Sequence, residues 1–318
     1  MTIKRRFNWL GATLIGATVL SPSVHAATAF DGINALLQNN FTSQFSEVQG
    51  VLAVGGNATL FNYGVDLLST PYGGAGGYGL VVGGNLNFTN GSVGTLVTNP
   101  AQTYFGGALN SFAVNYTGGF NGVNPLNFSA LFSQASTAST ALAGYSNTGV
   151  TTINPGGNIG WLTFAGDGSS AVQVFSISGI DLLNSHLIQV SNVPLTSTIL
   201  VNVTGAFAQL ASVDSSAPFD PFGGKVLFNF KDATQVNFAN TGLHASVLAP
   251  NALITSFSGH IKGVVIGKEW LGDFEVQPGL APLLLAVPEP ETYAMMLAGL
   301  GLMGYVARRR RKQPANAR

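Results

Sequence analysis

The chain has 318 residues, of which 46% are hydrophobic and 8% are charged, and it contains no cysteine. A typical soluble domain carries about 25% charged residues, so this composition excludes a coiled coil, an acidic disordered tail and a basic nucleic-acid binder. Without cysteine there is no disulfide scaffold, no zinc–cysteine site and no thiol catalysis.

The formal net charge of zero conceals a segregation of charge along the chain. Basic residues occupy Lys4–Arg6 near the start and Arg308–Arg311, Lys312 and Arg318 at the end, with no arginine between Arg6 and Arg308. Between these clusters, over 27–288, four lysines face eleven acidic residues, which leaves a net charge of −7. Such a body disfavours nucleic acid and anionic membrane surfaces as partners.

The first 26 residues have the pattern of an export signal. A basic stretch is followed by the apolar run WLGATLIGATVL and then by SPSVHA, with small residues placed for cleavage after Ala26. We therefore predict a signal peptide over 1–26 and an exported body. The alternative is a short buried helix.

The body from residue 27 is rich in short apolar segments separated by glycine and asparagine. GVLAVGGNATLFNYGVD (50–66) and GLVVGGNLNFTNGSVG (79–94) repeat an apolar run that ends in Val-Gly-Gly-Asn, with Asn57 and Asn85 28 residues apart. A repeated unit of one strand, a Gly-Gly-Asn turn and a second strand is typical of a β-solenoid. Eight further strand segments are predicted in the second half, over 171–179, 185–193, 197–205, 225–230, 234–240, 245–251, 252–259 and 259–267. Their near-continuous apolar character favours parallel sheets.

One segment of the body has a helical period instead. In 124–145 the apolar residues Phe128, Leu131, Ala135, Ala138 and Leu142 recur every three or four positions. Asn127 is suited to begin this helix and Gly144 to end it. The apolar stripe is narrow, so we expect the helix to lie against a sheet.

The C-terminal segment has three parts in a fixed order. Pro288-Glu289-Pro290 comes first, then an uncharged apolar stretch from Tyr293 to Ala307, then Arg308, Arg309, Arg310 and Arg311. The apolar stretch is short for a spanning helix, which needs about 20 residues, and the arginines would stay on the cytoplasmic side. An ordinary membrane anchor is the plainer interpretation.

This tripartite pattern resembles the PEP-CTERM sorting signal of Gram-negative bacteria, over 287–312, with a short cytoplasmic tail over 313–318. The resemblance implies recognition by an exosortase, a precursor held transiently in the inner membrane, and later release or transfer to the cell surface. It also implies a setting of exopolysaccharide and biofilm.

The body, over 27–286, resembles the choice-of-anchor A domain of bacterial surface proteins. The points of similarity are EVQGVLAVGGNATL, the helical segment, SHLIQVSNVPLTSTILVNVTG, KVLFNF and ASVLAPNALITSFSGHIKGVVIG. The resemblance implies an adhesive or stalk domain. The expected fold is mainly β, a parallel β-helix or β-solenoid with one flanking α-helix.

No arrangement of residues in the sequence predicts a catalytic, cofactor-binding or metal site. His186, His244 and His260 lie outside any nucleophile signature, and no G-x-S-x-G motif is present. Asp214 and Asp220 form the densest acidic patch. A calcium loop could use them with backbone carbonyls, but the EF-hand pattern is absent, and a solvated loop with two turn-forming aspartates is the plainer interpretation. We therefore expect no enzyme, no cofactor and no resident metal.

Two alternative functions stay open at this point. A polysaccharide-active β-helix enzyme, a glycosidase or lyase, would need two facing carboxylates; the isolated aspartates are Asp66, Asp167, Asp181, Asp214, Asp220 and Asp232. An ice-binding β-solenoid would need a flat threonine-rich face, and the sequence lacks T-x-T ladders.

Aromatic residues near turns are the candidate ligand contacts. Exposed aromatic faces beside Asn and Thr suit sugar rings, and the predicted glycan contacts are Tyr63, Tyr72, Tyr78 and Tyr116, with Tyr104 and Trp161 as further candidates. The sequence thus predicts an exported cell-surface or matrix protein that binds extracellular polysaccharide or other matrix proteins. Unpaired end strands would favour self-association.

Overall fold

The computed structural model describes residues 30–282 except 31, 69–76, 95–100, 121, 155–159 and 281. The predicted signal peptide, Tyr72 and the tripartite C-terminal segment lie outside the described residues. Within the described part of the chain, no helix is long and apolar enough to cross a membrane.

Twenty strands and three short or medium helices lie within these residues. The strands are β1 (Ile33–Leu37), β2 (Phe41–Val48), β3 (Val51–Val54), β4 (Ala58–Val65), β5 (Tyr78–Val82), β6 (Leu86–Val93), β7 (Gln102–Phe105), β8 (Leu109–Asn115), β9 (Thr117–Phe120), β10 (Val150–Asn154), β11 (Trp161–Ala165), β12 (Val172–Ser178), β13 (Leu187–Ser191), β14 (Thr198–Thr204), β15 (Phe207–Ala211), β16 (Val226–Asn229), β17 (Gln235–Leu243), β18 (Ser246–Lys262), β19 (Val265–Gly272) and β20 (Glu275–Gln277). The helices are α1 (Phe128–Ala143), α2 (Gly179–Leu183) and α3 (Ser216–Phe219), the last followed by a 3₁₀ turn at Asp220–Phe222.

Parallel pairing between successive coils builds a solenoid with three faces, which confirms the predicted fold class. The helix face runs through β9, β7, β5, β3, β1, β19, β18, β16, β14 and β12. The polar face runs through β8, β6, β4, β2, β19, β18, β17 and β15. The histidine face is formed by the ends of β2, β4 and β6 with β20 and the ends of β18 and β17. Alternate residues point into one apolar core between the faces.

The order of the coils in space differs from their order in the chain. The first coils, from β1 to β9, stack away from the middle of the solenoid in one direction. The later coils, from β12 to β19, stack from the far end back towards the middle. The two blocks meet where β19 pairs with β1 and β2. We call this junction the seam.

The seam is closed by an aromatic stack and a buried asparagine. Trp270 on β19 is 1% exposed and stacks on Phe41 of β2 with ring centroids 5.8 Å apart. Asn34 on β1 donates to the carbonyls of Gly263 (2.8 Å) and Gln277 (3.0 Å) and accepts from the Gly50 N–H (3.1 Å). Apart from the bond to Gly50, these contacts join segments more than 200 residues apart in sequence.

The repeated Gly-Gly-Asn motif forms one corner of the solenoid, as predicted. The backbone N–H of Asn57 donates to Asn40 Oδ1 (3.1 Å), and the N–H of Asn85 donates to Asn57 Oδ1 (2.8 Å). Glycine is required here because a Cβ on Gly83 would lie 2.4 Å from the Gly55 carbonyl oxygen. The register of β4 and β6 reproduces the 28-residue repeat, with Ala58 opposite Leu86.

Helix α1 forms where the sequence predicts it and covers the helix face. Asn127 Oδ1 accepts from the Ala130 N–H at 3.1 Å, and Gly144 ends the helix. The helix packs on β14, β16 and β18. A buried polar network joins the helix to the sheet. Asn229 Nδ2 donates to the Ser139 carbonyl and to Asn202 Oδ1, each at 2.9 Å. Asn202 Nδ2 donates to the Leu142 carbonyl, also at 2.9 Å.

The strand predictions are confirmed for the eight segments of the second half, with one merger. The single strand β18 combines three predicted segments, namely 245–251, 252–259 and the start of 259–267. It bends around two corners of the solenoid. Nine of the described strands lie outside the segments that the sequence predicts as strands; they are β1, β2, β7, β8, β9, β10, β11, β15 and β20.

Asp66, which directly follows β4, destabilises the folded protein at neutral pH. Its backbone is left-handed (φ 55°) and burial raises the pKa of its carboxyl to about 6. Since the folded state holds the proton more tightly than the unfolded chain, stability is lost as pH rises from about 4 through 6. We expect Asp66→Asn to raise the free energy of unfolding at pH 7.5 by about 1–2 kcal/mol, after allowing for solvent screening, because asparagine tolerates this backbone.

Urea denaturation of both proteins at pH 7.5 and pH 4 measures this effect. The gain should vanish at pH 4, where Asp66 is protonated in the folded protein. Asp232→Asn is the control, because Asp232 is exposed and pairs with Lys231 at 3.4 Å. A gain that is equal at both pH values would contradict the assignment to Asp66 ionisation.

Candidate functional site

The polar face presents one uncharged column of side chains along the length of the solenoid. Because neighbouring strands are in register, one outward-facing residue per coil falls in line. The column is Asn110, Asn87, Thr59, Thr42, Leu271, Thr255, Asn237 and Gln209. Thr255 Oγ1 donates to Asn237 Oδ1 (3.2 Å), and Asn237 Nδ2 donates to Gln209 Oε1 (3.0 Å), so part of the column is held in place.

Exposed phenylalanines lie beside this column. Phe61 on β4 and Phe112 on β8 are 41% and 75% exposed, in one line with Thr89 between them. Phe45 on β2 is 66% exposed and packs edge-to-face against Phe61 with centroids 5.4 Å apart. We call Phe45, Phe61 and Phe112 the aromatic strip. Exposed apolar groups of this kind mark interaction surfaces.

The structure places the tyrosines that were predicted to contact glycans in different environments. Tyr63 is 2% exposed and packs edge-to-face against Phe41, so it presents nothing to a ligand and is withdrawn from the candidates. Tyr104 is also buried, and its hydroxyl donates to the Gly122 carbonyl at 3.1 Å. Tyr78 and Tyr116 are half-buried against apolar clusters and stay predictions.

Trp161, the last of the aromatic candidates, is 42% exposed on β11, in a separate three-stranded sheet. It does not belong to the polar face. The exposed phenylalanines of the aromatic strip were missed by the sequence analysis. Strand alternation could have indicated that Phe61 and Phe112 point outward, whereas Phe45 points outward because its backbone is left-handed (φ 53°).

The histidine face gathers ionisable residues that the sequence leaves scattered. His244 and His260 face each other with their Nε2 atoms 3.0 Å apart. His244 Nδ1 contacts Asp220 Oδ1 at 2.7 Å, and Lys262 Nζ contacts the same oxygen at 3.0 Å. Asp214 lies on the neighbouring coil, where the Asp214 segment pairs with Gly242. We call Asp214, Asp220, His244 and His260 the histidine cluster.

Hydrogen bonds and burial set the protonation of this cluster. The hydrogen bond from His244 lowers the pKa of Asp220, with a further contribution from Lys262. The backbone N–H of Ser216, 2.8 Å from Asp214 Oδ1, lowers the pKa of Asp214. Burial and the neighbouring His244 lower the pKa of His260, although Glu275 and Asp214 partly offset this. Both aspartates are therefore ionised at neutral pH.

The calcium alternative for Asp214 and Asp220 finds no support in this geometry. Their oxygens already accept from a backbone N–H, a histidine and a lysine, and Lys262 would repel a cation placed on Asp220. Among the described residues, no three His, Asp or Glu side chains form a complete metal site.

The other isolated aspartates occupy separate structural positions. Asp167 accepts from the hydroxyl of Ser170 and from the backbone N–H groups of Ser170 and Ser169, both at 2.8 Å, and these bonds lower its pKa. Asp181 accepts from the side chain of Ser178 at the start of α2. Each of these carboxylates stabilises its own loop or helix.

The fold and these surfaces define a class of protein: a parallel β-solenoid that displays repeated side chains along flat faces. The sequence over residues 26–277 matches the family described as "Putative Ice-binding-like adhesive domain", and the chain belongs to this family. Residues 286–312 match the PEP-CTERM protein-sorting motif. Together the two matches identify an exported surface protein.

No curated protein matches the sequence. Among solved structures, the chain is similar to an ice-binding protein from the Antarctic ascomycete Antarctomyces psychrotrophicus. The sequence identity is 14%, the match covers 80% of this chain and 97% of that chain, and the TM-score is 0.29.

Proposed function

We propose that this protein is an adhesive or structural component of the extracellular matrix of a Gram-negative bacterium and that its polar face binds neutral polysaccharide. An exosortase processes the precursor at Pro288-Glu289-Pro290 while the apolar stretch before Arg308–Arg311 holds it in the inner membrane. The mature protein then reaches the cell surface or the matrix. The observation that carries the proposal is the uncharged column beside the aromatic strip.

The chemistry of the polar face supports a neutral sugar polymer as the ligand. Thr, Asn and Gln side chains in a line offer both donors and acceptors to hydroxyl groups. The rings of Phe61 and Phe112, two strands and about 10 Å apart, offer apolar faces to sugar rings. The excess of acidic residues in the body disfavours an anionic polymer. An extended polymer suits a linear array, because it can contact several coils at once.

The same surface favours polysaccharide over an ice lattice. Thr42 and Thr59 are adjacent in the column and Thr255 also belongs to it, but Asn, Leu and Gln occupy the other five positions, and Phe112 is 75% exposed beside it. A threonine-rich plane of regular spacing is therefore interrupted. Strand β8 carries exposed or half-exposed residues along its whole length, which supports self-association at this end of the solenoid.

Co-sedimentation with an insoluble neutral β-glucan tests the proposal. We expect the purified protein to bind the glucan and Phe61→Ala/Phe112→Ala to bind about tenfold more weakly, as expected for the loss of aromatic anchors. A soluble polyuronate should not compete. The matched control is Tyr145→Ala, which removes a 49% exposed aromatic beyond the end of α1.

Each outcome has a defined meaning. Equal binding by the double variant and the wild type would overturn the assignment of the polar face. Shortening of the polymer in the same tubes would favour the glycosidase or lyase alternative. Absence of binding to any neutral polymer would contradict the proposal and leave a spacer or self-assembling role.

A further inference from the structure

We propose that His244 and His260 bind one divalent transition-metal ion between their Nε2 atoms. The two nitrogens already face each other at 3.0 Å. Two ligand nitrogens at about 2.0–2.1 Å from Zn²⁺ in tetrahedral geometry are about 3.3–3.4 Å apart. The rings, whose centroids are 5.2 Å apart, therefore need to separate by a few tenths of an ångström and to tilt so that both lone pairs point at the ion. Water would complete the coordination, because the protein supplies two ligands.

The hydrogen bond to Asp220 prepares His244 for this role. A carboxylate can only accept, so neutral His244 donates its Nδ1–H to Asp220 Oδ1 and directs the Nε2 lone pair towards His260. A carboxylate on the outer nitrogen of a ligand histidine fixes the ring and raises its basicity. In the metal-free protein His260 Nε2–H donates to this lone pair; on binding, His260 carries its proton on Nδ1 and its own Nε2 lone pair faces the ion.

The surroundings of the pair favour a cation that prefers imidazole. Asp220 lies beside His244, and Asp214 and Glu275 lie near His260. The one basic group among them is Lys262. This excess of negative charge attracts a divalent ion. Because both ligands are imidazoles, Zn²⁺, Ni²⁺ and Cu²⁺ are suited to the site, whereas Ca²⁺ and Mg²⁺ prefer oxygen ligands.

Both histidines line depressions in the surface. His244 lines one surface depression with Asp220 and Lys262, and His260 lines the adjacent one with Asp214. Gly242 lines the depression beside His260, and a Cβ there would lie 3.1 Å from His260 Cε1. The glycine thus gives the His260 ring the space to turn towards His244. A residue with a side chain at position 242 would press on this ring.

Calorimetric titration of the purified protein with Zn²⁺, and separately with Cu²⁺, tests the site. We expect one ion per chain at pH 7.5, and at least tenfold weaker binding in His244→Gln and in His260→Gln. Asp220→Asn should weaken binding by about tenfold. Affinity should fall in acid, because an imidazole must be unprotonated to bind a metal ion. Ca²⁺ should not bind at the same concentrations.

His186→Gln is the matched control, because His186 contacts the Ala211 carbonyl at 3.0 Å and lies outside the histidine cluster. Thermal unfolding of each metal-free variant shows whether it is folded. In the unaltered protein, the ring-proton NMR signals of His244 and His260 should move with Zn²⁺ while those of His186 stay in place. Unchanged affinity in a His244→Gln/His260→Gln variant, or signals that move only for His186, would overturn the proposal. Polysaccharide binding by the polar face is a separate measurement and should persist in all these variants.

Discussion

Trp270→Ala should produce the largest loss of stability in this protein, about 3–5 kcal/mol in the free energy of unfolding, as expected for truncating a large buried aromatic. Trp270 is 1% exposed and stacks on Phe41 at the seam, where the backbone N–H of Trp270 also donates to the Asn40 carbonyl at 3.0 Å. The cavity would open where the two blocks of coils meet. Urea denaturation measures the free energy, and hydrogen exchange should show the largest increase in β1, β2 and β19.

Leu271→Ala is the control for this prediction. Leu271 is the next residue on β19, but it faces outward and is 53% exposed, so its truncation should cost less than about 0.5 kcal/mol. A loss below 1 kcal/mol in Trp270→Ala would contradict the seam as the main stabilising junction. An increase in exchange spread evenly over all coils would instead indicate that the solenoid unfolds as one cooperative unit.

Asn229→Leu should destabilise the protein by about 2–3 kcal/mol, although leucine suits an apolar position. Asn229 is 1% exposed between the helix face and α1, and its amide satisfies the Ser139 carbonyl and Asn202 Oδ1. The Ser139 hydroxyl, 2.6 Å from Asn229 Oδ1, would lose its acceptor. Leucine would leave these buried polar groups without partners. Circular dichroism during urea denaturation measures the change.

Asn237→Leu provides the matched comparison, because it makes the same substitution on the polar face. Asn237 is half-buried, and water can replace its bonds to Gln209 and Thr255, so we expect a loss below about 1 kcal/mol. Equal losses in the two variants would mean that the buried network does not fasten α1 more strongly than a surface bond does.

Local sequence patterns were sufficient to predict the repeated corner of the solenoid and helix α1. The Val-Gly-Gly-Asn repeat predicted the corner at Asn57 and Asn85, because only residues with small or amide side chains fit the close stack of corner backbones. The three- and four-residue spacing in 124–145 predicted α1 together with both of its ends. These features depend on neighbours within about one turn or one repeat, so they can be read from the chain.

The candidate sites could be predicted only in part. Asp214, Asp220 and the histidines were recognised as polar residues without a signature, but nothing in their spacing indicates that His244 and His260 meet across β17 and β18. Tyr63 follows the glycine-punctuated pattern of a turn residue, yet its ring enters the core because Asn62 adopts a left-handed backbone (φ 48°) just before it. Such a change of direction reverses which side chains face inward.

The sequence by itself determined the repeated strand and corner, the helix with its caps, the low charge of the body and the two terminal patterns. Only the tertiary structure decided the order of the coils, the seam between β1 and β19, the aromatic strip and the histidine cluster. The physical reason is that parallel strands pair through backbone groups, which every residue carries. Which coil stacks on which is therefore set by the packing of the whole core and not by any local pattern.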